Sequence, residues 1–170
     1  VELITSEKGL GMSPKRIVVS TSGVPKMIRK MADDQVKFNL AVSLHSAIDN
    51  VRTSIMPFNE TFPLAELREA LEYWYKKTNR QITYEYVIWK GINDCQKDID
   101  ALVKFCKYVP SKVNIIEYNP IDDGEFQQAK SQAIDDYISI LEMNDIIVNV
   151  RRSRGKDIDA ACGQLANKKS

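Results

Sequence analysis

The residue best suited to covalent chemistry in this sequence is Cys162. Ala161 and Gly163 flank it, and such small neighbours let a reaction partner approach the sulfur closely. Four of the six residues in 151–156 are Arg or Lys, and nearby positive charge favours the thiolate, which is the nucleophilic form of cysteine. On residue chemistry alone an inert cysteine is still the favoured interpretation, because no base partner is placed beside it.

The other two cysteines indicate neither a metal site nor a disulfide framework. Positions 95, 106 and 162 form no CxxC pair, and a single histidine does not supply a zinc site. Cys106 falls on an apolar helical stripe and is expected in the core, whereas Cys95 falls in a turn. We expect a protein of the reducing cytoplasm, with no membrane contact, because no apolar run is long enough to cross a bilayer.

The elements that must position these residues follow an alternating pattern. Apolar runs rich in Val, Ile and Tyr predict five strands, at 16–22, 38–45, 81–89, 112–119 and 145–150. Helical stripes follow Pro25 and Pro63 and recur over 99–109 and 134–141. Alternation of this kind predicts an α/β fold with a parallel sheet. The residues leave open a partial barrel or a doubly wound sheet.

Polar residues gather where the predicted strands end. They are Ser20, Thr21 and Ser22 after the first run, Ser43, His45 and Ser46 after the second, Glu85 and Lys90 at the third, and Glu117 and Asn119 at the fourth. Because the carboxyl ends of parallel strands meet at one edge, the pattern predicts a binding site there.

Several of these polar residues also have a plain structural interpretation. Ser22 can cap the following helix, and Asn119 before Pro120 can shape a turn. His45, the one histidine, would titrate near neutral pH if unperturbed, but a packed histidine at a strand end is favoured. The formal net charge of +1 gives no global attraction to nucleic acid, so any RNA affinity must come from local patches such as 151–156.

Five ordered segments together resemble one enzyme family. They are 19–23 (VSTSG), 43–45 (SLH), 85–87 (EYV), 114–120 and 154–165 (RGKDIDAACGQL). In this order they are similar to the radical S-adenosylmethionine (radical SAM) methyltransferases that methylate adenosine in 23S ribosomal RNA and tRNA (RlmN/Cfr type). The last segment is the most specific, and the resemblance covers nearly the whole chain.

The resemblance implies a fold and a set of site residues. The fold is the carboxy-terminal portion of a radical SAM partial (β/α)6, TIM-like barrel, formed by 1–150, followed by a tail at 151–170. The positions that match SAM-contacting residues are Ser20, Ser43, Leu44, His45 and Asn119. Cys162 matches the cysteine that carries the methyl group.

The resemblance also implies a reaction. Cys162 takes a methyl group from SAM and becomes methyl-cysteine. A 4Fe–4S cluster, reduced by a donor such as flavodoxin, then cleaves a second SAM to a radical that activates the S-methyl group for transfer to C2 of adenosine in 23S rRNA or tRNA. The alternatives are methylation at C8 of the ribosomal adenosine, as in the Cfr type, and a non-catalytic SAM- or RNA-binding domain.

Several parts of the family pattern are absent from the 170 residues. They are the CxxxCxxC cluster loop, the Gly-Glu SAM motif, the resolving cysteine and the amino-terminal RNA-binding domain. We therefore expect a carboxy-terminal fragment that provides no metal ligand and is inactive by itself. Loss of the preceding strands would leave the 16–22 strand as an unpaired edge, so we expect self-association or masking of that edge by 1–13.

Overall fold

Five parallel strands form one sheet in the computed structural model, which describes residues 2–118 and 126–151. They are β1 (Val18–Thr21), β2 (Asn39–Ser43), β3 (Ile82–Val87), β4 (Ser111–Ile116) and β5 (Ile147–Arg151). Every neighbouring pair is parallel, and the spatial order is the chain order β1-β2-β3-β4-β5. All five predicted strands are confirmed, and most are slightly shorter than the apolar runs that predicted them.

Helices connect the strands. They are α1 (Glu2–Thr5), α2 (Pro25–Asp33), α3 (Asp49–Ile55), α4 (Leu64–Thr78), α5 (Gln96–Cys106) and α6 (Ser131–Met143), with 3-10 turns at Pro14–Arg16 and Pro57–Glu60. Pro25 occupies the first turn of α2, where its missing N–H costs nothing. Asn144 ends α6 as predicted. The sequence pattern did not predict the short α3.

All four long helices cover the same face of the sheet. Their apolar side chains share one core with alternate strand residues, including Ile28, Leu67, Leu102 and Tyr137 from the helices and Leu40, Tyr84 and Val113 from the strands. A doubly wound sheet reverses its strand order and carries helices on both faces. The unreversed order and the single core exclude that alternative and leave a partial barrel.

The register places a polar row across the uncovered face. Ser43 pairs with Glu85, Glu85 with Asn114, and Asn114 with Asn149. Successive side chains of a strand point to opposite faces, so these four residues lie on the face that the helices do not cover. The fold therefore separates an apolar face that builds the core from a polar face that remains open to a ligand.

β1 and β5 are the edge strands, and among the described residues each has one partner strand. Val18 on β1 and Ile147 on β5 are 55% and 56% exposed. Residues Leu3 and Pro14 line a cavity of about 780 Å³ with the 34–38 turn, beside the amino end of β2. The expected self-association through β1 stays a prediction.

Within 2–118 and 126–151, no helix is long and apolar enough to cross a membrane.

Candidate functional site

A chain of hydrogen bonds links the polar row on the open face. Asn149 Nδ2 donates to Asn114 Oδ1 at 3.1 Å, and Asn114 Nδ2 donates to Glu85 Oε1 at 2.9 Å. The Asn114 amide is thereby held with its nitrogen toward the carboxylate. Glu85 consequently has one carboxylate oxygen fixed by a hydrogen bond, and the other oxygen accepts no hydrogen bond among the described residues.

The second oxygen of Glu85 lacks a hydrogen bond but lies within ion-pair distance of an arginine. Glu85 is 9% exposed, and among the described residues its Oε2 accepts no hydrogen bond. The Arg151 guanidinium lies 3.5 Å from this oxygen. Burying a polar oxygen without a hydrogen bond is costly, so Glu85 Oε2 is a candidate acceptor for a ligand hydroxyl or ammonium group beside Arg151.

Ser20 and Ser43 present hydroxyl groups to the same face. Ser20 pairs with Ala41, and Ser43 is the next residue of β2 on that face. Within the described part of the chain, neither serine side chain forms a hydrogen bond. Ser22 does not cap α2, which begins without a side-chain cap; instead Thr21 Oγ1 accepts the N–H of Gly23 at 3.1 Å.

His45 is held as a neutral hydrogen-bond donor. Its Nδ1 accepts the backbone N–H of Val87 at 3.2 Å, so the proton of the neutral ring lies on Nε2. Burial, and secondarily the positive charge of Arg52, lower the pKa of His45 from 6.5 to about 4. His45 is thus neutral at physiological pH. Its Nε2 has no partner among the described residues and offers one N–H to a ligand.

Leu44 is buried and its backbone is fully engaged. Its side chain lies in the core, its N–H donates to the carbonyl of Glu85 at 3.0 Å, and its carbonyl accepts from Arg52 Nε at 3.1 Å. In the structure Leu44 therefore anchors the 43–45 tripeptide. Its assignment as a SAM contact stays a prediction.

Arg52 on α3 is the main residue that sequence reasoning missed. Its guanidinium also donates to the carbonyls of Ser22 at 2.7 Å and Ser43 at 3.3 Å, and to the side chain of Asn59. Arg52 is fully buried, and burial lowers its pKa from 12.5 to about 10. Because arginine is usually exposed and α3 is short, no sequence pattern indicated this role.

Aromatic rings form a wall beside His45. The Trp89 ring lies 5.5 Å from His45, 6.0 Å from Tyr118 and 5.1 Å from Phe126, measured between ring centroids. Trp89 is buried, and its Nε1 has no hydrogen-bond partner within the described residues. The carboxyl edge of β3 therefore joins polar groups to an aromatic surface.

The cysteines behave as the sequence predicted where the structure describes them. Cys106 is buried in the core, and burial raises its thiol pKa to about 12. Cys95 is exposed at the start of α5. Asn119 and Cys162 lie outside the described residues. In 2–118 and 126–151, no group of three His, Cys, Asp or Glu side chains could hold a metal ion.

Comparison with known proteins identifies the family. The chain is 71% identical, over all 170 residues, to a Flavobacterium johnsoniae protein named "Probable dual-specificity RNA methyltransferase RlmN". It is 73% identical, over 99% of its length, to the protein of the same name from Christiangramia forsetii. The chain belongs to the RlmN family. It spans about half the length of these relatives, 49% and 48% respectively, and no family model matches it.

Solved structures confirm the fold class of this RlmN-family chain. A radical SAM methyltransferase from Sphaerobacter thermophilus is 36% identical with a TM-score of 0.89, covering 95% of this chain and 47% of that protein. A domain of pyruvate-formate lyase-activating enzyme from Bacteroides vulgatus shares only the fold, at 14% identity and a TM-score of 0.61 over 79% of this chain and 80% of that domain. The predicted portion of a partial (β/α) barrel is confirmed.

Proposed function

We propose that this chain is the SAM-binding and methyl-carrying part of an enzyme that methylates C2 of adenosine in 23S rRNA and tRNA. The observation that carries the proposal is the identity of 71%, over the whole chain, to a protein named a probable dual-specificity RNA methyltransferase. The structural likeness to a radical SAM methyltransferase supports it independently. At the carboxyl edge of the sheet, polar groups that have no hydrogen-bond partner among the described residues are placed where they can bind a polar ligand.

The residues on the open face fit SAM. SAM has ribose hydroxyls, an ammonium and a carboxylate at its amino-acid end, and a purine ring. Ser20 and Ser43 offer hydroxyl groups, and His45 offers its Nε2–H as a donor to an oxygen atom. The buried Oε2 of Glu85, which accepts no hydrogen bond within the described residues, offers an acceptor to a hydroxyl or ammonium group. Asn119 is assigned to the same ligand by resemblance.

Cys162 is the proposed methyl carrier. Its thiolate would receive the methyl group that SAM supplies, so that an S–CH3 bond would form on Cys162 as the bond from that methyl group to the SAM sulfur breaks and S-adenosylhomocysteine leaves with the electron pair. The cations of 151–156 favour the thiolate. When bound, SAM supplies this methyl group and, with a 4Fe–4S cluster, the radical that activates it for transfer. The other residues of this chain bind and orient SAM.

The cluster is assigned to another part of the full-length protein. Among the described residues no side-chain group fits a metal cluster, and the sequence contains no CxxxCxxC. We propose that the chain by itself neither holds the cluster nor methylates RNA, and that the full-length protein works in the cytoplasm with a donor such as flavodoxin. An iron content of about four atoms per chain in the isolated chain, as one 4Fe–4S cluster requires, would contradict this.

The decisive experiment is nucleoside mass spectrometry on 23S rRNA and tRNA. A host without its own enzyme would carry the full-length protein as wild type, as Cys162→Ala or as Cys95→Ser. Cys95 is exposed and starts a helix, and serine is a good N-cap residue, so Cys95→Ser is a matched control. We expect 2-methyladenosine with wild type and Cys95→Ser, and none with Cys162→Ala.

Each other outcome has a defined meaning. If 8-methyladenosine appears, C8 methylation replaces the C2 assignment. If Cys162→Ala still gives 2-methyladenosine, Cys162 is not the methyl carrier. If a protein that holds its cluster modifies neither site, the RNA assignment is wrong and a SAM-binding architecture remains.

A further inference from the structure

Two fully buried side chains hold consecutive carbonyls of the 43–45 tripeptide. Arg52 Nε donates to the carbonyl of Leu44 at 3.1 Å. Asn93 Nδ2 donates to the carbonyl of His45 at 2.6 Å and also to that of Val87 at 2.8 Å. Both Arg52 and Asn93 are 0% exposed. Hydrogen bonds therefore hold the tripeptide from both sides, from Arg52 on the side of β1 and from Asn93 on the side of β3.

The backbone of the tripeptide needs such support. His45 has φ +56°, in the left-handed region that is uncommon for residues other than glycine, although histidine adopts it more often than most. A strained residue of this kind persists only where its surroundings hold it. The conformation at His45 turns the chain out of β2 and lets the ring meet the Val87 N–H.

Arg52 extends the support to the neighbouring strand. It donates to the carbonyl of Ser22, 30 residues away in sequence, at 2.7 Å. Gly23 follows with φ +103°, and a Cβ there would lie 3.1 Å from Leu67 and 3.5 Å from Arg52 Nη2. The backbone is thus close against the guanidinium, and the ends of β1 and β2 are tied together.

Asn93 is itself fixed by its neighbours. Its Oδ1 accepts the backbone N–H of Trp89 at 2.7 Å, and its backbone carbonyl accepts the hydroxyl of Tyr137 at 2.7 Å. Every polar atom of the Asn93 side chain is therefore engaged in setting the backbone. A buried arginine and a buried asparagine used in this way are costly unless fully hydrogen-bonded.

We propose that Arg52 and Asn93, together the β2 clamp, are positioning residues that hold Ser43 and His45 in the conformation that binds SAM. This inference rests on the proposed SAM-binding function. The clamp touches the backbone of the tripeptide and leaves the Ser43 hydroxyl and the His45 Nε2–H free. It therefore sets the affinity for SAM without contacting the ligand.

The test measures SAM binding and thermal unfolding in the full-length protein with its cluster. The variants are Arg52→Met, Arg52→Lys and Asn93→Ala, and the control is Leu102→Ala. Leu102 is a fully buried residue of α5 whose side chain has no polar atom. We expect the dissociation constant of SAM to rise roughly 10- to 100-fold in Arg52→Met and Asn93→Ala, since removing the partners that orient a pre-organised site typically costs on that order. Leu102→Ala should lower the unfolding temperature and leave that constant within about twofold.

Two further readouts separate positioning from simple loss of stability. Arg52→Lys keeps the charge but not the fork of donors, so we expect a SAM affinity between those of wild type and Arg52→Met. In steady-state assays the KM for SAM should rise more than kcat falls, as for loss of binding shared by ground and transition states.

The failures can be told apart. If wild type does not bind SAM, the proposed function is wrong. If wild type binds SAM but the folded clamp variants bind it as tightly as Leu102→Ala does, the clamp inference is wrong. If Arg52→Met does not fold, Arg52→Lys and Asn93→Ala decide the question by the same criterion.

Discussion

The two faces of β3 differ in chemistry although both are largely buried. Toward the helices it presents Ile82, Tyr84 and Tyr86, each 0% exposed; toward the open side it presents Thr83 and Glu85, at 6% and 9%. The apolar face is buried by helices, and that burial provides most of the driving force for folding. The polar face is not covered by the described helices and keeps groups that can still bind a ligand.

The two faces also differ in whether a polar atom without a hydrogen bond can contact a ligand. Tyr84 OH and Glu85 Oε2 are adjacent in sequence, and neither has a hydrogen-bond partner within the described residues. The hydroxyl of Tyr84 lies on the helix-covered side, where only protein surrounds it. The carboxylate oxygen of Glu85 lies on the side where SAM is proposed to bind. The unpaired Tyr84 hydroxyl is therefore a cost of packing, whereas Glu85 Oε2 is a candidate contact for SAM.

The largest expected effect comes from two neighbours on β4 that lie on opposite faces. Ile115→Ala removes a fully buried side chain from the core and should lower the free energy of unfolding by about 2–5 kcal/mol. Asn114→Ala should lower it by only about 1 kcal/mol but weaken SAM binding, because Glu85 loses its donor. Urea unfolding and equilibrium dialysis on both variants check this. Equal loss of SAM affinity in the two variants would remove the distinction between the faces.

A smaller effect is expected at His45, two residues after the end of β2. Its folded pKa of about 4 lies below the ordinary 6.5, so between these values the unfolded state binds more protons and stability rises with pH. Stability should fall by on the order of 2–3 kcal/mol as the pH drops from about 6.5 to about 4.

His45→Asn is the matched variant for that pH dependence. Asparagine tolerates the positive φ and does not titrate. Urea unfolding of wild type and His45→Asn across this pH range should give a difference in stability that shrinks toward low pH. A difference that stays constant with pH would show that His45 is not held neutral.

The smallest expected effect compares two tyrosines on the helix-covered face. Tyr86 OH and Tyr137 OH lie 3.3 Å apart as a hydrogen-bonded pair, so Tyr86→Phe should cost about 1 kcal/mol. Tyr84→Phe removes a hydroxyl that lacks a partner and should change stability by less than about 0.5 kcal/mol, or increase it. Thermal unfolding of the two variants measures both changes in stability. A larger loss of stability in Tyr84→Phe than in Tyr86→Phe would show that the Tyr84 hydroxyl has a hydrogen-bond partner.

Periodicity in the sequence was sufficient for the framework. Alternating apolar runs predicted all five strands, and stripes such as Leu64, Leu67, Leu71 and Trp74 predicted the four long helices, because burial of a continuous face needs a regular pattern. The polar ends of the strands predicted the edge where Ser20, Ser43 and His45 lie. The 154–165 segment and the shorter motifs indicated the family, although Asn119 and Cys162 lie outside the described residues.

The tertiary structure decided the details of the site. Arg52 looks like a surface residue in the sequence, and only folding brings it against the carbonyls of Ser22, Ser43 and Leu44. The strand register decided that Ser43, Glu85, Asn114 and Asn149 form one row. Burial decided that the one histidine of the chain is a neutral donor. A local sequence pattern records which residues prefer to be buried; which polar groups then meet depends on contacts between segments far apart in the chain.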